Sequence, residues 1–268
     1  MSTPRRKPRS YHPDRVRDAV LAQVEFVRLA AHELTPQQLG RPTGLPGWDV
    51  RHLLAHLARQ IDALPQLLAE PAPRASRPSC TLSQWVLGTG EIATKIDSWA
   101  QEDAAARDDQ AAAIDTAAEE LESVIDTGVR EDLLLPHVFG PMRAIDFTVT
   151  RLVELVVHSD DLTRATGSPV RLDRMAVAST VRVLADALAE KAPGFSTELR
   201  IPPFAAVQCL AGPRHTRGTP GQVVETDPVS WVRLATGRAT WKTMTATGRL
   251  KVGGERAAGL ADELPVLH

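Results

Sequence analysis

Apolar residues recur every three or four positions through most of the chain's first two thirds. Val16, Val20, Val24 and Val27, with Pro13 ahead of them, predict a helix over 13–34. Val50, Leu53, Leu54, Leu57, Ile61 and Leu64 predict a second, for which Asp49 is a suitable N-cap. Trp85, Ile92, Ile96 and Trp99 predict a third, from Leu82 to about Arg107. The Ala- and Asp-rich stretch 103–113 reads either as solvent-facing helix or as a break, and helical character resumes from Ile114 to Ile125. A further helix over 144–166 ends at Gly167, with Pro169 just beyond, a Gly-then-Pro stop. Loops lie between, at 35–48, rich in Pro and Gly, at 71–80, rich in Pro and Ser, and at 133–143, which holds Pro136 and Pro141. Long amphipathic helices joined by short and medium loops predict a bundle of four main helices.

The pattern changes after Pro169. An amphipathic helix from Asp173 to Lys191 precedes two strand-like runs, 196–201 and 204–210. The loop from Gly212 to Gly221 is expected to join 204–210 in a hairpin to a strand beginning at Gln222. Short helices are expected from Pro228 and from Trp241, a last strand over 248–252, and a short helix or turn from Glu255 to Leu260. The expected architecture is therefore a two-domain α+β chain. It has a tail at 1–12, a helical bundle at 13–167 and a small α+β domain at 168–268. Trp231 and Trp241, with Phe204, Val207, Leu210 and Leu234, read as the core of the second domain or as the lining of a ligand cavity.

Composition narrows the partners. Of 268 residues, 43% are hydrophobic and 24% charged, enough for a substantial core in a globular protein. Net charge is -2 and the pI about 6.5, which does not suggest a nucleic-acid or membrane-surface binder. The basic run from Pro4 to Arg9 reads as part of a disordered tail. No apolar run is long enough to span a bilayer, and no signal-peptide core stands at the N-terminus. The two cysteines, Cys80 and Cys209, form no pairing pattern. Together these predict a cytoplasmic protein without a disulfide framework.

The chemistry concentrates in Arg151 to Thr166. Glu154 and His158 are four residues apart and Asp161 three further on, so they share one face of an otherwise apolar helix. A carboxylate and an imidazole turned inward need compensation, either from a divalent metal or from each other. His56, beside the apolar stripe of the second helix, is a third candidate ligand. Two imidazoles and a carboxylate suit zinc or another first-row divalent ion. His52 and His56 form an alternative pair, with His52 expected in the exposed first turn. Asp161 reads either as the acceptor that orients His158 or as the partner of Arg164, and Asp160 as solvent-facing. No phosphate-binding Gly loop, nucleophile elbow or Cys-x-x-Cys pair is present.

Two stretches carry a family resemblance. Leu45-Pro-Gly-Trp-Asp-Val-Arg-His-Leu-Leu-Ala-His-Leu57 and Arg151-Leu-Val-Glu-Leu-Val-Val-His-Ser-Asp-Asp-Leu162 resemble the two metal motifs of the mycothiol-dependent maleylpyruvate isomerase family, whose fold is a DinB-like four-helix bundle. The resemblance places the metal ligands at His56, Glu154 and His158 and implies a divalent metal, usually zinc. Residues 226–238 and 248–256 look like the end of a sterol-carrier-protein-like domain. The resemblance implies a thiol-dependent transferase or isomerase. Its thiol would be mycothiol and its substrate a small electrophile. Separately from the resemblance, which matches no residue to that role, Arg238 is a basic candidate for a substrate carboxylate. The alternative is a non-catalytic protein that holds a lipid or small apolar ligand in the C-terminal domain. Ser159 and Asp160 stand where many isomerase relatives carry Gly-Trp, so the wall near the metal is expected to differ from theirs.

Overall fold

The computed structural model describes residues 9–212 and 221–268. Residues 1–8 of the expected tail and 213–220 of the expected hairpin loop lie outside the described residues. The chain divides into two compact units. The first comprises Tyr11–Thr81 and Glu91–Val177, and the second Ala178–His268 with Leu82–Gly90 and the N-terminal segment.

In the first unit four helices form the core: α1 (Pro13–Glu33), α3 (Val50–Ala69), α6 (Gln110–Gly128) and α7 (Ala144–Thr166). The short α2 (Pro36–Leu39) lies in the loop between α1 and α3. α6 and α7 each pack against both α1 and α3. The apolar stripe of α3 is buried, including Leu53, Leu57, Ile61 and Leu64. Full burial of each such side chain contributes about 1.5–3 kcal/mol. α6 meets α3 closely: a Cβ on Gly128 would lie 2.4 Å from Cδ2 of Leu64. α7 ends on Gly167 at φ 75°, a left-handed cap, with Gly167 N–H donating to the carbonyl of Thr163.

The third bundle helix is a correction. The expected helix over 82–107 is broken into α4 (Leu82–Gly88), a 3-10 turn (Thr89–Ile92) and α5 (Ala93–Ala106). The Thr89 hydroxyl donates to the Trp85 carbonyl at the break. α5 packs on α3, but Ile96 and Trp99 remain half-buried, and its buried positions are Ala100 and Ala104. The place in the bundle goes to α6, whose Ile114, Ala117, Leu121 and Ile125 are all buried. The loop over 133–143 also holds a two-residue antiparallel ladder between β1 (Leu134–Leu135) and β2 (Met142–Arg143).

In the second unit α8 (Arg174–Lys191), most of which belongs here, leads into a four-stranded sheet. Its strands are β3 (Thr197–Ile201), β4 (Ala205–Cys209), β5 (Val223–Thr226) and β6 (Leu250–Gly253), in the order β4-β3-β5-β6. The expected hairpin between β4 and β5 does not form. β3 pairs antiparallel with β4 and parallel with β5, placing Leu199 between Val207 and Val224. β3 and β5 take the two interior positions, and Val224 of β5 likewise lies between Leu199 and Val252. β4, with Ala206 and Gln208 exposed, takes the edge. α9 (Pro228–Ala235) and α10 (Trp241–Ala246) lie between β5 and β6, and a 3-10 segment (Glu255–Glu263) follows. Trp231, Val207 and Leu234 are core residues, and the Trp231 indole N–H donates to the carbonyl of Val181. No helix among the described residues is long and apolar enough to cross a membrane.

Candidate metal centre

The site starts from how α3 begins. Asp49 caps the helix: its carboxylate accepts from the backbone N–H of His52 at 3.1 Å and meets Nδ1 of His52 at 2.6 Å. Burial works against ionisation of Asp49, yet these hydrogen bonds hold its carboxyl below the ordinary value. His52 is thereby committed to the cap. One turn later His56 points into the bundle, its side chain 3% exposed.

α7 supplies the facing residues. Nε2 of His56 and Nε2 of His158 lie 3.4 and 3.3 Å from the same oxygen, Oε2 of Glu154. The two imidazole centroids are 4.7 Å apart, nearly edge-on at 79°. One donor atom from each of the three residues lies within 4.8 Å of the others. For ligand bonds of about 2.0–2.2 Å, neighbouring ligands of a tetrahedral ion stand about 3.3–3.6 Å apart. Two nitrogens and one carboxylate oxygen at this spacing fit a divalent first-row ion with positions left for an exogenous ligand. His52 is not part of this set.

Asp161 meets both of its candidate partners. Its Oδ2 lies 3.0 Å from Nδ1 of His158, and its Oδ1 accepts from Arg164. A carboxylate there only accepts, so Nδ1 carries the proton and Nε2 is left facing Glu154. Asp160 is not solvent-facing: it is buried and pairs with Nε of Arg164 at 3.3 Å. Ser159 is fully buried and accepts from Nε2 of Gln23 on α1 at 3.1 Å. The dipeptide expected to reshape the wall near the metal thus meets α1 and Arg164. One residue along a helix turns a side chain by about 100°, which carries Ser159 off the face of His158.

Burial and pairing divide the protonation states. Burial pushes His56 down to about 4, against the hydrogen bond to Glu154. For Glu154 burial opposes ionisation, but the hydrogen bonds to His158 and His56 outweigh it and hold the carboxyl well below its ordinary value. His158 goes the other way: burial lowers it, and the hydrogen bonds to Asp161 and Glu154 more than reverse that. Of the two imidazoles, His158 is the one whose surroundings, two carboxylates, favour holding a proton.

Two further residues adjoin the set, and one of them, Trp48, is not legible from spacing. The Trp48 ring lies 5.1 Å from that of His56, and its Nε1 donates to Asp97 on α5 at 2.7 Å. Trp48 precedes the helix and bears no helical phase to His56. Arg151, one turn before Glu154, is buried as well. Arg238 belongs to the second unit, where its Nη1 donates to the carbonyl of Thr236. Cys80 and Cys209 are buried and unpaired, and burial raises their thiols to about 11 and about 12, unfavourable for nucleophiles.

Comparison with known proteins agrees with this architecture. The structure is similar to that of a mycothiol-dependent maleylpyruvate isomerase, with a TM-score of 0.55 at 15% identity over 85% of this chain and 90% of that one. It is equally similar to a histidine-to-alanine mutant of such an isomerase, at TM-score 0.55 and 15% identity over 91% and 95% of the two chains. No curated protein matches the sequence. Residues 173–266 match the family model described as bacterial SCP ortholog. Residues 20–163, more than half of the chain and including all three donor residues, match the mycothiol maleylpyruvate isomerase N-terminal domain, and the protein belongs to that family.

Proposed function

We propose that His56, Glu154 and His158 hold a divalent metal, zinc by the chemistry of the donors, and that the protein is a thiol-dependent transferase or isomerase. The observation that carries this reading is the convergence of two imidazole Nε2 atoms on one buried carboxylate oxygen. A structural ion pair would need only one imidazole, whereas here a second stands opposite, neutral and with its nitrogen turned to the same point.

The metal, when bound, would supply the positive charge that turns a thiol into a thiolate at neutral pH. The chain's own residues prepare the place. Asp161 fixes the tautomer of His158, Arg164 holds Asp161, and Trp48 covers the ring of His56. Family membership and the isomerase folds support mycothiol as the thiol. Addition of a thiolate to an electrophilic carbon gives transfer. Addition, bond rotation and elimination give isomerisation with the thiol returned.

Calorimetric titration of mycothiol into zinc-loaded protein tests the reading. Wild type should bind the thiol and His56→Ala should not, and a maleylpyruvate isomerisation assay should follow the same order. Equal thiol binding by both proteins would contradict it.

A further inference from the structure

Arg151 shares the face of α7 that carries Glu154 and His158, three and seven residues ahead of them. It is 6% exposed. Its guanidinium lies over the Phe147 ring, 4.5 Å from the centroid. Nη1 donates to Oε1 of Gln60 on α3, and Nε and Nη2 donate to the Thr150 hydroxyl at 3.1 and 2.9 Å. Every acceptor is neutral, and among the described residues no carboxylate forms an ion pair with this guanidinium. A buried cation with only neutral partners needs a negative charge nearby. Burial pulls the guanidinium down to about 10, and the charge that opposes this is that of Glu154.

The two charges are near but not joined. The hydrogen bonds of Glu154 go to the two imidazoles, and those of Arg151 to Gln60 and Thr150. Tied in this way, the guanidinium cannot fold onto Oε2 and occupy the space among the three donor atoms. Its charge still acts there.

We propose that Arg151 is the internal counter-ion of Glu154, a positioning residue that compensates the buried carboxylate in the metal-free protein and restrains metal affinity in the loaded one. The second half rests on the metal-site reading, whereas the first stands without it. When a divalent ion enters, two positive charges meet a third that is fixed, and at short range in a protein interior that repulsion lowers affinity substantially.

A double-mutant cycle in metal-free protein tests the first half. Arg151→Met and Glu154→Gln are made singly and together and followed by thermal unfolding. The double variant should lose clearly less in Tm than the two losses summed. Additive losses would overturn the counter-ion assignment, whether or not wild type takes up metal. Arg151→Gln, which removes the charge and keeps a polar group for Gln60, closes the same cycle should the Met variant fail to fold. The second half is read from zinc affinity by competitive chelation. Arg151→Met, or Arg151→Gln in its place, should bind zinc about tenfold or more tightly than wild type, and Arg151→Lys within about threefold of it. Unchanged or weaker binding in the charge-free variant would overturn the restraint. A wild type that binds no zinc would contradict the metal-site reading and, with it, the restraint, while the cycle would still decide the counter-ion.

Discussion

The fully buried carboxylate of Asp161 lies 3.0 Å from Nδ1 of His158 and also accepts from Arg164. The contact fixes which ring nitrogen is free to bind. Loss of such an outer partner costs about 10–100-fold in metal affinity. Asp161→Asn should therefore fold but bind zinc more weakly by that order, measured by competitive chelation. Affinity equal to wild type would remove Asp161 from the account.

Metal uptake should release a proton at pH values below the raised His158 value. Glu154, held well below its ordinary value, is already ionised, and His56, at about 4, is already neutral. His158, raised by Asp161 and Glu154 against its burial, holds the proton that must leave. Zinc affinity should climb about tenfold per pH unit below the raised His158 value and flatten above it. Calorimetry in buffers of different ionisation enthalpy counts the proton directly, and a count near zero at about pH 6, below the ordinary histidine value, would contradict the assignment.

Acid should destabilise the metal-free protein through His56 and His137. Burial takes both imidazoles down to about 4, with the Arg151 charge helping at His137. The unfolded chain then binds more protons than the folded one between roughly pH 6.5 and the folded values, so stability falls as pH falls through that window. His158, raised, acts oppositely: its contribution is complete below about 6.5 and is lost as pH rises through its folded value. The His137 ring packs edgewise near Phe139 and at a tilt near Phe147. His137→Phe should lose part of the acid sensitivity, with a smaller drop in Tm than wild type between about pH 7 and pH 4.5. An identical drop would rule His137 out as a contributor.

How much is legible in the sequence depends on what each residue does. α7 is readable to its ends because an apolar stripe, a left-handed glycine and a following proline all agree at 144–169. His56, Glu154 and His158 are readable as candidates because helical spacing fixes their faces. The third bundle helix is not, because Ile92, Ile96 and Trp99 look like a core stripe, while the residues of α5 that go inside are alanines. The pairing of β5 is hidden because sequence order favours a hairpin, and only the packed sheet shows β3 to be interior. The charge of Asp160 points to solvent, but Arg164 provides the compensation that lets it be buried. Trp48 acts across the start of a helix, where no periodicity reports on it.

The close approach of α3 and α6 is also testable. Leu64 is fully buried, and a methyl on Gly128 would lie 2.4 Å from its Cδ2. Overpacking of this kind costs about 1–3 kcal/mol. Gly128→Ala should lower Tm accordingly, despite the better helix propensity of alanine, and the double variant with Leu64→Ala should lose less than the two single losses summed. A neutral or stabilising Gly128→Ala would show that the helices can move apart freely.

The central claim is that one metal is held by His56, Glu154 and His158. Its most direct test is metal analysis of untagged protein. Wild type and His52→Ala should carry about one zinc per chain, because His52 belongs to the helix cap, while His56→Ala and His158→Ala should carry little. Full metal content in both His56→Ala and His158→Ala would contradict the account.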